Sequence, residues 1–184
     1  MIRLFLILSV LLTSSAQAVT LLEALEDPRI SRDVRLPMGG PSHEPSVPAE
    51  VISLGRRVAP HLQQIRLGRK VYSWDVASPR DRMPNYCSDQ CACIARELQP
   101  VVHALNYPVR KLTLRPAFRQ AFEVKLRDHA GRERRYDFHQ VLVVKIAGRW
   151  RVIDPLILGN TVPERLSAWL NRIDQRQTKV IDIF

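Results

Sequence analysis

The feature that most constrains the fold is a pair of strand-like segments on either side of Ala147-Gly148. Residues 133–146 lead into this dipeptide and residues 149–154 continue from it, both rich in aliphatic and β-branched side chains. An Ala-Gly pair at the centre of a short loop predicts an antiparallel hairpin. Both faces of residues 141–146 are largely apolar, so this strand is predicted to lie in the middle of its sheet.

The hairpin register brings two polar residues onto one face of the sheet. With Ala147-Gly148 at the centre of the loop, Val141 lies opposite Asp154, and His139 lies opposite Leu156. Residues opposite each other share a face, as do residues two apart on one strand. His139 and Asp154 are therefore predicted to be diagonal neighbours with backbones ~7–8 Å apart, a gap that two side chains bridge. A three-residue loop would separate them onto opposite faces.

A helix is predicted before this hairpin. Ser88 or Asp89 is a suitable N-cap, Pro100 is expected to kink or shorten the helix, and Pro108 to end it. One face is apolar at helical spacing, formed by Ile94, Leu98, Val101 and Leu105. A helix packed on an antiparallel sheet predicts an α+β fold.

Further elements follow from local signals. Capping-box patterns at Thr20–Glu23 and Thr161–Glu164 each predict the start of a helix. A short helix broken near Pro60 is predicted over residues 50–67. Predicted strands cover residues 71–76, 124–126 and 180–184, and a loop covers residues 78–84.

The N-terminus has the pattern of a secretory signal peptide. Arg3 precedes the apolar residues 4–12, and Ala16-Gln17-Ala18 matches an Ala-x-Ala cleavage site. The apolar run is too short to cross a hydrocarbon core of ~30 Å, so no transmembrane anchor is expected. Residues 1–18 are interpreted as the signal peptide, which predicts a secreted or periplasmic location.

Residues 19–48 form a predicted helix followed by a proline-rich arm. The arm contains five prolines and the pair Gly39-Gly40, which exclude a regular helix or a central strand. Two interpretations remain open: a pro-segment that covers a site, or a surface arm without a chemical role. Residues 49–184 are then the functional domain.

The net charge of +10 and pI near 10.2 favour anionic partners. Arginines and lysines are scattered, however, and the nucleic-acid-binding motifs are absent from the sequence, so no specific nucleic-acid partner is predicted. The alternative is a basic surface that is simply solvated.

Three cysteines in an exported chain predict one disulfide and one free thiol. The spacing of Cys87 and Cys91 suits a disulfide across a helical turn, which leaves Cys93 as the free thiol. A disulfide at Cys93 remains the alternative. A zinc site formed by the cysteines with His103 lacks the usual paired spacing, so no metal or cofactor is predicted.

Cys93, His139 and Asp154 together supply a nucleophile, a base and an orienting carboxylate, the set needed to attack an amide. The first turn of a helix favours a thiolate and offers backbone N–H groups to an oxyanion. Gln90 is a further candidate donor to the oxyanion.

Three short stretches resemble the bacterial protein-glutaminases, which are secreted protein-glutamine deamidases. They are Cys93-Ile94-Ala95-Arg96, Phe138-His139-Gln140-Val141-Leu142-Val143 and Val152-Ile153-Asp154-Pro155-Leu156, and their order and spacing agree over about residues 87–158. The resemblance implies a papain- and transglutaminase-like fold with a nucleophile helix packed on an antiparallel sheet. It also implies deamidation of protein glutamine through a thioester, without a metal or cofactor.

Other activities remain open on the same residues. A papain-like protease, a transglutaminase and a cell-wall amidase share the acyl-enzyme and differ in the acceptor. A non-catalytic basic module that binds anionic partners is the alternative from a different class, and it would have Cys93 in a disulfide.

Overall fold

The computed structural model describes residues 20–27, 34, 36, 44, 46–66, 90–117, 123–175 and 178–183. Several predicted features lie outside the described residues: the expected signal peptide, the strand expected at residues 71–76, the loop expected at 78–84, and Cys87. The described chain combines helices with antiparallel sheets, which confirms the α+β class.

A five-stranded antiparallel sheet forms the centre of the structure. Its strands lie in the order β6-β5-β4-β1-β7, so β4 is central, as predicted. A separate two-stranded sheet pairs β2 with β3. The bounds are β1 Val109–Pro116, β2 Val124–Arg127, β3 Glu133–Tyr136, β4 His139–Ile146, β5 Arg149–Ile153, β6 Glu164–Arg165 and β7 Thr178–Ile183.

The predicted hairpin register is confirmed. Leu142 pairs with Ile153 across β4 and β5, which is the alignment centred on Ala147-Gly148. Both loop residues have positive φ, 48° at Ala147 and 76° at Gly148, as a two-residue turn that follows the strand twist requires.

Two features of the sheets differ from the expectations. Residues 133–146 are not one strand, because the chain bends at residues 137–138 and places β3 and β4 in different sheets. Strand β1 pairs with β4 from Val109 to Leu114 and is absent from the expectations, because the consecutive charged residues Arg110 and Lys111 near its start hide the strand pattern.

Both internal prolines lie in continuous helices, so the break predicted near Pro60 is wrong and Pro100 does not end its helix, while the kink predicted there stays a prediction. Pro60 is inside α2 and Pro100 is inside α3. A proline within a helix costs about 3 kcal/mol, which the burial of the apolar faces of these helices on the sheet offsets. The helices are α1 Leu21–Glu26, α2 Ala49–Arg66, α3 Gln90–Ala104, α4 Pro155–Leu158 and α5 Leu166–Leu170.

The two capping-box predictions have opposite outcomes. Thr20 and Glu23 form the reciprocal bonds of a capping box at the start of α1. Thr161 instead donates its hydroxyl to the carbonyl of Gly55 at 2.8 Å, and Glu164 lies in β6. Tertiary contact with α2 has therefore replaced the local cap.

The sheet has an apolar core on each face. Helices α2 and α3 cover one face, where Leu142, Val144 and Ile153 are buried. Helices α1 and α5 and strand β2 contribute to the core on the opposite face, which includes Val141 and Val152. None of the described helices combines the length and hydropathy needed to cross a membrane.

The described residues of the N-terminal segment are integral to the fold. Leu21, Leu25 and Val34 are buried in the core. The Glu44 carboxylate accepts hydrogen bonds from both terminal nitrogens of Arg151, at 3.0 and 2.5 Å, and forms an ion pair with Arg165. The described residues of this segment therefore contribute to the core and to a buried ion pair.

Glu44→Gln is expected to lower the free energy of unfolding by about 2 kcal/mol, because it leaves the buried Arg151 without its counter-charge. Breaking a fully buried ion pair costs about 3–5 kcal/mol, and the effect here is smaller because Glu44 retains 12% exposure. Urea unfolding measures the change. The matched control is Glu26→Gln, whose exposed carboxylate pairs with Lys145 and is expected to matter less. Equal losses in both variants would contradict the special role of Glu44.

Candidate active site

His139 and Asp154 form a buried pair on one face of the central sheet. His139 begins β4 and Asp154 directly follows β5, so the confirmed register makes them diagonal neighbours. The Nε2 atom of His139 lies 2.9 Å from Oδ2 of Asp154. The side chain of His139 is fully buried and that of Asp154 is 2% exposed, so solvent scarcely screens the pair.

Three N–H groups of the protein contact the Asp154 carboxylate, those of Ile157, Trp169 and His139. Asp154 is the N-cap of α4, and its Oδ1 accepts from the backbone N–H of Ile157 at 3.4 Å. Its Oδ2 accepts from the indole N–H of Trp169 at 3.0 Å as well as facing His139. Pro155 follows at the first helical position, where its missing N–H costs nothing.

The free thiol beside His139 belongs to Cys91, in the first turn of α3. Cys91 is a buried free cysteine whose sulfur lies 3.9 Å from the carbonyl oxygen of Phe138, the residue before His139. Cys91 also contributes to the raised pKa of His139, which places the thiol next to the imidazole. The disulfide expected at Cys91 is therefore wrong.

Cys93 is disulfide-bonded, so its assignment as the nucleophile is also wrong. The physical reason is the phase of the helix. Consecutive residues are ~100° apart around an α-helix, so Cys91 and Cys93 point in directions ~200° apart and only one can face His139. The sequence spacing does not reveal which one, because the rotation of α3 on the sheet is set by tertiary packing. The predicted partner Cys87 lies outside the described residues.

The expected oxyanion donor Gln90 is the first residue of α3, and its side chain lies outside what the structure describes. The first turn of an α-helix carries backbone N–H groups that the helix itself does not pair. They lie on the residues that flank the Cys91 thiol.

Opposing effects set the pKa of His139. Complete burial, the largest single effect, lowers it, but the charge and hydrogen bond of Asp154 together with those of Cys91 outweigh burial. The balance brings the pKa from 6.5 to about 9, so the ring is an imidazolium at neutral pH. Nε2 faces Asp154, which leaves Nδ1 for the thiol. Within the described part of the chain Nδ1 has no hydrogen bond of standard geometry.

Tyr136 and Trp169 complete the surroundings, and sequence reasoning missed both. The ring of Tyr136 packs against the imidazole with centroids 4.7 Å apart and the two planes tilted by 37°. Burial, then the nearby charges of Asp154 and Cys91, raise the pKa of the Tyr136 phenol. In the sequence, Trp169 is only one of the apolar positions of a predicted helix, and this pattern does not reveal a role for its indole N–H group.

A small cavity adjoins the thiol. Its volume is about 10 Å³, room for roughly one water molecule. The lining residues come from α3, β4 and the β5–α4 junction and are Cys91, Ile94, Ala95, Gln140, Val141, Ile153, Asp154, Pro155 and Leu156. The thiol is thus recessed behind the described surface.

Mapping of free thiols tests the cysteine assignment. We expect alkylation of the denatured, unreduced protein to label Cys91 and leave Cys93 unmodified, with peptide mass spectrometry as the measurement. Labelling after reduction is the control and should include Cys93. A label on Cys93 before reduction would overturn the assignment.

The stability of the fold should fall as the pH rises from about 6.5 to about 9. The pKa of His139 is higher in the folded chain than its ordinary 6.5, so protonation stabilises the folded state. This contribution is complete below pH 6.5 and is lost as the pH passes 9. Urea unfolding across this range measures it. Asp154→Asn keeps a good N-cap but removes the negative charge, so the unfolding free energy of this variant should not decline between pH 6.5 and 9. The same decline in the variant as in the wild-type protein would contradict the role of the His139–Asp154 pair.

Among the described residues, no three His, Cys, Asp or Glu side chains meet as a metal site. The zinc site considered above would also need Cys87, which lies outside them. A scan against protein-family models and a search of curated proteins found no match to this chain.

Proposed function

We propose that this protein is a cysteine amidohydrolase that deamidates glutamine side chains of proteins or peptides, with Cys91 as the nucleophile. One observation carries the proposal: a fully buried imidazole lies between a carboxylate held by three donors and a free thiol at a helix N-terminus. The signal peptide expected at residues 1–18 would place this activity outside the cytoplasm.

The proposed reactive form of the site is a thiolate–imidazolium pair that exists before substrate binds. A thiolate is the reactive form of cysteine, and both an adjacent imidazolium and a helix N-terminus stabilise it. Asp154 holds the imidazolium by its Nε2–H and so turns Nδ1–H towards Cys91. This arrangement needs no base to remove a proton during the attack.

In the first half-reaction, the Cys91 sulfur attacks the carboxamide carbon of glutamine. The oxygen becomes an oxyanion, which the N–H groups of the first turn of α3 are placed to stabilise. His139 then gives its Nδ1 proton to the nitrogen as the C–N bond breaks. Ammonia leaves, and a thioester joins Cys91 to the substrate.

In the second half-reaction, neutral His139 takes a proton from water, which attacks the thioester carbon. The C–S bond breaks, glutamate is released, and the thiolate–imidazolium pair is restored. The sum is one amide and one water converted into one carboxylic acid and one ammonia, with His139 as both acid and base.

The recessed thiol favours a side-chain amide over a peptide bond. Cys91 is 6% exposed, and the described walls leave about 10 Å³ beside it, which is less than a carboxamide occupies, so these walls must move apart to admit any substrate. A glutamine carboxamide is carried on a slender, flexible stem that reaches into a narrow opening. A peptide bond has chain on both sides and needs an open groove.

The resemblance to protein-glutaminases supports the proposal in part. The stretches around Phe138-His139 and Ile153-Asp154-Pro155 carry the base and the acid and retain their match. The Cys-x-Ala-Arg stretch begins at Cys93, two residues after the thiol that lies beside His139. The resemblance therefore supports the reaction class, while the nucleophile is assigned from the contacts of Cys91.

The deciding experiment is ammonia release from a denatured, glutamine-rich protein by residues 19–184. We expect Cys91→Ala to reduce the rate to background because no nucleophile remains. Cys93→Ala is the matched control and should retain activity, although loss of the disulfide is expected to lower its stability. Activity in Cys91→Ala, or loss only in Cys93→Ala, would reject the proposed nucleophile.

The same assay separates the competing activities. Incorporation of an added primary amine would indicate a transglutaminase, and new peptide termini would indicate a protease. A folded protein with neither product nor ammonia on protein and cell-wall substrates would favour a non-catalytic basic module.

A further inference from the structure

Two N–H groups converge on a single oxygen of Asp154. Oδ2 lies 2.9 Å from Nε2 of His139 and 3.0 Å from Nε1 of Trp169. The indole belongs to α5, is fully buried, and comes from outside the β4–β5 hairpin that carries the pair. A phenylalanine at this position would also be apolar, although smaller, but it has no N–H group to donate to Asp154.

The hydrogen bond from Trp169 restricts the rotation of the Asp154 carboxylate. Rotation of an aspartate carboxyl group about its last torsion is broad, with no deep staggered wells. The cap bond from Ile157 to Oδ1 is long, at 3.4 Å, and so is a weak restraint. The shorter bond from Trp169 holds Oδ2, the oxygen that faces His139.

We propose that Trp169 is a positioning residue for the reaction of Cys91, acting through Asp154. By holding Oδ2, the indole fixes the plane of the imidazole and keeps Nε2–H on the carboxylate and Nδ1 towards the thiol. This inference rests on the proposed function for its effect on turnover. Its effect on the reactivity of the Cys91 thiol does not depend on the identity of the substrate.

Other groups also surround the imidazole of His139, and they must be distinguished from Trp169 when a substitution is interpreted. Cys91 approaches from α3, Tyr136 packs from β3, and Leu114 is the neighbour of His139 on β1. Asp128 and Arg134 act on Tyr136 from the two-stranded sheet. Substitution of Trp169 leaves these groups in place and removes one donor to Asp154.

The test is Trp169→Phe, with Trp150→Phe as the matched control. Trp150 also donates its indole N–H to a carboxylate, that of Glu26 at 2.8 Å, but does so away from the site. Both substitutions therefore replace an indole by a smaller phenyl ring and remove one hydrogen bond to a carboxylate. We expect Trp169→Phe alone to lower kcat by ~10-fold to ~100-fold with little change in KM, the size expected for one bond to a charged group.

The pH dependence of Cys91 alkylation by iodoacetamide is the second measurement. Loss of the indole bond lets the Asp154 carboxylate turn away from Nε2, which weakens its support for the imidazolium beside the thiol. We expect the half-maximal alkylation pH to move upward in Trp169→Phe and to stay unchanged in Trp150→Phe. The inference is overturned if Trp169→Phe matches the control in both alkylation and kcat.

A third measurement uses the wild-type protein, so it does not depend on whether a variant folds. In the wild-type protein, the indole N–H resonance of Trp169 should shift on alkylation of Cys91 and with titration of His139, whereas that of Trp150 should not. Absence of both shifts at Trp169 would overturn the inference. A shifted alkylation profile in a protein without ammonia release would instead reject the proposed function and retain the positioning role.

Discussion

The fully buried pair of His139 and Asp154 is the interaction on which the site depends. A charged imidazole without contact with water is strongly unfavourable unless an opposite charge compensates it. Asp154 supplies that charge and is itself held by Trp169 and by the backbone of α4. The low exposure that makes the pair costly also keeps water from screening it, so the imidazolium persists at neutral pH.

The backbone places this pair with little freedom. The two-residue turn at Ala147-Gly148 sets the register of β4 and β5, and the register sets which side chains share a face. Asp154 then has two roles, because it ends a strand beside His139 and begins α4 as its N-cap. A residue with both roles is constrained in position by the strand, the helix and the ion pair together.

The N-terminal arm has a structural explanation at its described residues. Leu21 and Leu25 complete the core on the face of the sheet that carries His139, and Glu44 neutralises the buried Arg151. A segment that contributes core side chains and a buried counter-charge is not readily removed from a stable fold.

Local pattern in the sequence was enough to determine the hairpin, the central position of β4, the cap of α1 and the proximity of His139 to Asp154. Each follows from neighbours along the chain: alternation, turn residues or a four-residue spacing. Only the tertiary structure decided that Cys91 rather than Cys93 faces the imidazole, that Tyr136 packs against it, and that Trp169 donates to Asp154. These contacts depend on how α3, β3 and α5 are rotated and docked relative to the central sheet. The periodicity of a helix or strand in the sequence does not depend on that rotation, so it cannot reveal which side chain faces the site.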